Sequence, residues 1–563
     1  MTKEIRSPKG SYSRGHLSFG CWTCGGRYIK RLRLLALAGV LSRAVFSLSA
    51  AVIVHTGPRV ETTEAVFFAC DFDSAPFRRN LHLTMVPAQK RPEPLLRHGP
   101  KGSPDELRAE FYGSLIKVGG KYRMWYCGLG FEDDSHREPE DIKSWILYAE
   151  STNGLDWVKP NLGLVEFRGS RSNNIVGIGM IPHTAFPAER NVHVLYEPED
   201  PDPGRRYKML LHVPHEGGRM TMVPLFSRDG LSWRYAIPAE LTSEAKPRFK
   251  LSSLAMPNEH LEGGGLVKFD GLYYENGQSE NLYDGTKGGR LVAGYWSADF
   301  IHWHAEKSEA LVRSGFNAKT YPGDGQESHE GVALWNRGNV LLGICGLWNG
   351  ATNWAKRTID LGLVTSVNAY QFREPVPDFV FARAGAQGQW DAGGLLQGQG
   401  FEQVGDETWI WYGAWNLSAG GNTKAFEKAA SFITEDIGLL KLPRDRFGYV
   451  SVLEPKKAKA QETYRTGVGS LMTVPFEVTG KGARLEANAD LAPEGRIHFE
   501  LLDRSGNPQA DGAKELEASG LRIAVPLGKE GLIAPGVYRL RVTIERHGPE
   551  SPRLFAVYLR EPN

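Results

Sequence analysis

The chain has 563 residues, too many for one ordinary core, so two or three folded units are expected. Its 67 basic and 65 acidic residues leave a formal charge of +2, which excludes the long-range field that would draw nucleic acid or an anionic membrane surface. With 65 Gly, 14 Trp, 20 Tyr and 25 Phe and few runs of helical period, the composition favours short strands joined by tight turns, an all-β chain.

Residues 1–57 stand apart as a leader. Lys30, Arg31 and Arg33 precede an apolar run at 34–41, and small residues Ser49, Ala50 and Ala51 close a second apolar stretch, a pattern that resembles an export signal. The expected location is therefore outside the cytoplasm, periplasmic or extracellular, the alternatives being an upstream start or one N-terminal anchor. No later segment reaches the roughly 20 apolar residues that span a bilayer. Cys21 and Cys24 lack the βαβ setting or second pair that would make their C-x-x-C spacing a redox or metal motif. Cys70, Cys127 and Cys345, among apolar neighbours, read as inert buried thiols.

From residue 58 to 455 the chain repeats itself. Ser151-Thr-Asn-Gly-Leu-Asp-Trp157, Ser227-Arg-Asp-Gly-Leu-Ser-Trp233 and Ser297-Ala-Asp-Phe-Ile-His-Trp303 spell one turn, with a weaker copy at Ser366-Val-Asn-Ala-Tyr-Gln-Phe372. Their starts lie 76, 70 and 69 residues apart, the length of a four-stranded blade with long loops. Asn or Asp followed by Gly supplies the reversal, and the aromatic packs between neighbouring sheets. In phase with these turns run five strand openings at Glu110, Asn191, Glu262, Glu330 and Asp391, each leading into a second strand rich in large apolar residues. The period predicts a five-bladed β-propeller in which the first strand of each blade lines the axis. Four carboxylates, Glu110, Glu262, Glu330 and Asp391, would then converge on one mouth. Residues 64–70 are expected to close the ring on the last blade. A polar linker at 456–466 precedes a region of strict alternation, Ile497, Phe499, Leu501 and Leu540, Val542, Ile544, which predicts a small C-terminal β-sandwich over 467–563.

Several carboxylates in a concave, partly dry site suit glycoside hydrolysis: one acid protonates the leaving oxygen while another carboxylate attacks or activates water. Trp125, Trp348 and Trp411 are candidate platforms for sugar rings, with packing between blades as the competing role. His329, His260, Arg190 and Glu327 complete the candidate substrate-binding set. The chemistry requires no cofactor, although carboxylates around a channel could hold a Ca²⁺ ion; no dedicated metal site is marked.

The segment Glu262-Gly-Gly-Gly-Leu-Val-Lys-Phe-Asp-Gly-Leu-Tyr-Tyr274 resembles the third-blade motif of family 43 glycoside hydrolases, and Glu110 lies where that family and family 32 place the base or nucleophile. Residues 147–166, and the Leu485-Glu-Ala-Asn-Ala-Asp490 region, resemble exported bacterial proteins described as family 32-like. The resemblance implies a propeller hydrolase acting on a poly- or oligosaccharide, with Glu262 as general acid and Glu110 or Asp391 as base or nucleophile. Neither the Asn-Asp-Pro nor the Arg-Asp-Pro signature of fructan enzymes is present. The alternatives are a phosphorylase or lyase on the same scaffold, or a carbohydrate-binding propeller without catalysis.

Overall fold

A computed structural model describes residues 52–562 apart from 58, 136, 139–140, 180–190, 215–219, 238–255, 257–260, 282–286, 312–327, 350–357, 418–432 and 454–466. The leader with Cys21 and Cys24, the linker, Arg190, His260 and Glu327 lie outside the described residues. Nearly all regular structure within them is strand, so the chain is all-β.

Five groups of antiparallel strands, called sheets one to five, follow one another from residue 108 to 443, and parallel bridges join the first and the fifth. The first runs Arg108–Val118, Lys121–Phe131, Ile142–Ser151, and the second Val192–Tyr196, Tyr207–Pro214, Met220–Ser227, Ser232–Tyr235. The third is Glu262–Phe269, Leu272–Asn281, Lys287–Ser297, Trp303–Leu311; the fourth is Ser328–Asn336, Leu341–Asn349, Thr358–Ser366, Val380–Ala382. The fifth is Gly394–Val404, Glu407–Trp415, Glu435–Pro443, with Gln89–Lys90 on its outer edge.

The five first strands touch in a cycle. Ser114 Oγ accepts from the Val194 amide (2.8 Å), joining sheets one and two. Asn191 Nδ2 donates to the Gly263 carbonyl (2.5 Å), joining two and three. The Asn276 side chain, on the second strand of sheet three, bonds both the amide and the carbonyl of Val332 in sheet four. Gln397 Nε2 donates to the His329 carbonyl (2.5 Å), joining four and five, and Gln399 pairs with Ser114 to return to the first. The approach is close enough to require glycine. A Cβ on Gly264 would fall 2.4 Å from Gly331 Cα, and one on Gly398 2.0 Å from the Phe111 ring.

The repeated turn explains its own sequence. Ser151, Ser227, Ser297 and Ser366 each accept, through Oγ, the amides two and three residues on. Asn153, Asp229, Asp299 and Asn368 cap the next two amides in the same way. Between them one residue takes positive φ: Gly154 (76°), Gly230 (79°), Phe300 (68°) and Ala369 (61°). The indole nitrogens of Trp157, Trp233 and Trp303 donate to the carbonyl of that residue, which fixes the aromatic three positions later.

The remaining strands form two sheets around one apolar core that includes Val52, Phe67, Phe476, Leu485, Phe499 and Leu540. Here the chain's beginning and end are interleaved. Val52–His55 pairs with Phe476–Val478, Phe77–Arg79 with Val468–Met472, and Leu81–Met85 with Gly448–Val452. Glu64–Phe68, expected to close the ring on the last blade, pairs instead with Arg553–Arg560. Its alternate side chains enter two cores, Ala65 and Phe67 the C-terminal one, Val66 and Phe68 that between these strands and sheets four and five. A buried network ties the two regions together. Arg337 pairs with Asp445, which also accepts from Gln403 Nε2 (2.7 Å) and from the Tyr558 hydroxyl (2.9 Å).

Candidate functional site

Every first strand except that of sheet two breaks register near its start. The irregularities fall between Glu110 and Ser114, Gly263 and Gly265, His329 and Val332, and Gln397 and Gly400. Such bulges bend a strand and re-aim its side chains, and they also free backbone amides from the ladder. Buried polar side chains capture those amides. Phe111 N donates to Glu435 Oε1 (2.9 Å), Val332 N to Asn276 Oδ1 (2.7 Å), and Glu330 N to Gln278 Oε1 (3.2 Å).

One group of side chains gathers where sheets two, three and four meet. Gln278 Nε2 donates to Glu262 Oε2, while its carbonyl oxygen accepts the Glu330 amide, so a single amide bridges the two glutamates. Asn191 Nδ2 reaches Glu330 Oε2 (3.1 Å) from the other side. Glu330 itself sits at φ 63°, a left-handed conformation that costs a non-glycine residue about 1–2 kcal/mol. Strain of that kind concentrates at working sites. Both glutamates keep partial exposure. Next to them, Tyr112 Oη meets His329 Nδ1 (3.1 Å), Trp348 and Trp415 present edge-on contacts to the His329 ring at 4.7 and 5.9 Å, and His329 Nε2 lies 3.8 Å from Glu330 Oε1.

The other expected residues fall elsewhere. Glu110 has no accessible surface; its strand neighbour Phe111 is held by Glu435, whose other oxygen accepts from the Trp415 indole (2.9 Å). Asp391 does not open the first strand of sheet five, which begins at Gly394; the residue at the bulge is Gln397. Asp391 pairs with Lys90 at the outer edge of that sheet, as Asp105 pairs with Lys159 (2.5 Å) beside sheet one. Trp125 and Trp411 are fully buried and present no face to a ligand. Each seats its indole on the turn of the following sheet, Trp125 donating to the Gly230 carbonyl (2.6 Å) and Trp411 to that of Gly154 (3.3 Å). Trp348 stays beside His329 with little exposure.

Sequence reasoning passed over Tyr112, His193, Glu275, Gln278 and Glu435. Tyr112 and Glu435 carried no signal, since the one follows Glu110 inside an apparently apolar strand and the other lies outside any repeat. Among the described residues no group of three or more His, Cys, Asp or Glu side chains is arranged to hold a metal ion. A cleft of about 550 Å³ lined by His98, Asp105, Lys159, Arg168 and Asn174 lies beside sheet one and includes none of the first-strand residues.

No protein-family model matches the chain. No curated protein matches it either. Among solved structures it is similar to one described as belonging to the GH130 family of mannoside phosphorylases, which contains glycoside hydrolases that target β-1,2 mannosidic linkages in Candida mannan. The identity is 13%, over 67% of this chain and 98% of that one, at a TM-score of 0.40. A glycosyl hydrolase from Bacteroides ovatus is 14% identical over 65% of this chain and 95% of its own, at a TM-score of 0.39. An N-acetylgalactosamine deacetylase from F. plautii, solved with blood group B trisaccharide, is 14% identical over 64% and 96%, at 0.40.

Proposed function

We propose that the chain is a glycoside hydrolase acting on a poly- or oligosaccharide, built as a five-bladed β-propeller with a C-terminal β-sandwich. The observation that carries this reading is the gathering of Glu262 and Glu330, two partly exposed acids from adjacent first strands, around Gln278, which bonds the carboxylate of the first and the backbone amide of the second. Glycosidic cleavage asks for two such groups held in fixed relation across the scissile bond. Glu262 gives its proton to the leaving oxygen as the bond to the anomeric carbon breaks. Glu330, oriented by Asn191 and by its own backbone strain, attacks that carbon or takes a proton from the water that adds to it. Glu110 and Asp391 stand outside this pair, one fully buried and the other held by Lys90.

The test is a screen of plant, algal and fungal polysaccharides and their oligosaccharides for released reducing ends. Glu262→Gln and Glu330→Gln should each cut turnover by about 10²–10⁴-fold, the usual contribution of a positioned acid or base, with an unchanged melting midpoint. Full activity in either variant removes that residue from the mechanism.

A further inference from the structure

Below the Glu262 and Glu330 pair lies a second acid and base that the proposed chemistry does not use. His193 Nδ1 and Glu275 Oε1 are 2.9 Å apart, and both side chains are almost entirely shielded from solvent. His193 is the second residue of the strand that Asn191 immediately precedes. Glu275 is on the second strand of sheet three, opposite Leu266. Its carboxylate packs against the bulge of the first strand at Gly263. The fit is tight. A Cβ on Gly263 would fall 2.7 Å from Glu275 Oε1 and 3.1 Å from His193 Cε1, so backbone, carboxylate and imidazole already fill the space. Burial pushes the Glu275 carboxyl above the ordinary glutamate range, opposed by His193.

What the bulge then presents is the site. Gly263 offers its carbonyl to Asn191, whose amide also holds Glu330 Oε2. Gly264 lies against Gly331, the residue after Glu330, and Glu262 precedes the bulge directly. Moving Gly263–Gly265 would therefore displace both carboxylates and the Asn191 bridge at once. An apolar filler in place of Glu275 would leave the buried His193 Nδ1 without its partner and remove the carboxylate that packs against Gly263, which frees the bulge to shift.

We propose that His193 and Glu275 are positioning residues of the Glu262 and Glu330 site, acting through the Gly263–Gly265 bulge. The proposal rests on the hydrolase reading and specifies how that site is held. The imidazole donates from Nδ1 and the carboxylate accepts.

Three measurements on the full chain test this. In protein labelled with ¹⁵N-histidine, His193 should show the Nδ1-protonated form locked by its partner; a freely exchanging or Nε2-protonated ring overturns the pairing. For the oligosaccharide found in the screen, Glu275→Gln, which keeps an acceptor, should hold kcat within about threefold, whereas Glu275→Leu should lower kcat by about 10²-fold at nearly constant KM. His193→Phe supplies the same comparison where Glu275→Leu does not fold. A variant whose melting midpoint falls while kcat is kept shows a structural role alone and overturns the proposal. If no sugar is turned over by the wild-type chain, the hydrolase reading fails by itself. Positioning is then decided by ¹³C-carboxyl titration, in which the midpoints of Glu262 and Glu330 should move by about half a pH unit or more in Glu275→Leu and stay in place in Glu275→Gln. Unmoved midpoints in Glu275→Leu refute it.

Discussion

Replacing Asp445 by Asn tests whether the five sheets and the C-terminal strands melt as one body. Asp445 is fully buried at φ 60°, which Asn tolerates, so the substitution removes charge with little change of backbone. It strands Arg337, whose side chain is 8% exposed, and removing one partner of a buried pair costs about 3–5 kcal/mol. Arg337→Met should cost less, because the Tyr558 hydroxyl and the Gln403 amide still donate to Asp445. The double variant should lie nearer the wild type than Asp445→Asn alone. If the roughly 410 described residues unfold together, the unfolding entropy is about 0.9 kcal/mol/K and Asp445→Asn lowers the midpoint by only about 3–6 °C. If the C-terminal strands come away separately as some 150 residues, the entropy is about 0.3 kcal/mol/K and their own transition moves by about 10–15 °C and splits from the rest. Differential scanning calorimetry reads both. A midpoint within about 1 °C of wild type in Asp445→Asn would refute the assignment of this network as the tie between the two regions.

Gly230→Ala places a Cβ at positive φ and 2.8 Å from the Trp125 ring, and should cost about 2–4 kcal/mol in chemical denaturation, whereas Ala369→Gly at the equivalent turn should change stability by less than about 1 kcal/mol. Glu197 links to Lys208 (2.7 Å), Lys268 and the Tyr273 hydroxyl (2.5 Å); burial pushes its carboxyl up, but these partners outweigh it and hold it below the ordinary range. Its contribution is therefore complete above the ordinary glutamate pKa of about 4.3 and is lost as pH falls through the lowered value, so Glu197→Gln should flatten the acid limb of a pH-stability profile below about pH 4.5 and leave its shape above pH 6 unchanged.

The repeat was legible because each of its parts is a local bond: Ser, Asn or Asp, the residue at positive φ, and Trp close on one another within seven residues, whichever sheet they serve. The site was legible only to the resolution of a strand opening. Glu262 could be found from Glu-Gly before the Asp270-Gly271 turn, but its partner could not. Counting from that turn, Phe269 faces Leu272 and Gly265 faces Asn276, and the same count would put Ser279 opposite Glu262; the bulge at Gly264 puts Gln278 there. Asp391 was misplaced for the same reason, since its Gly-Gly sequel imitates a strand opening that starts three residues later, at Gly394. Pairings between the two ends of the chain had no local signal at all. The unbroken apolar run at residues 65–68 says that both faces are buried and leaves the strand's partner undetermined.

That partner has a consequence for how the molecule is made. A polypeptide delivered from its N-terminus brings out Val52–His55 and Glu64–Phe68 first, yet their mates are Phe476–Val478 and Arg553–Arg560, the latter ending three residues before the last. These early strands must wait, with apolar faces and open edges uncovered, while all five sheets between them and their mates are made. The five sheets can assemble in order as they emerge, but the strands that precede them cannot. Loss of Arg553–Arg560 would leave Glu64–Phe68 without its mate, so intactness of that late strand is in effect a checkpoint on the early one.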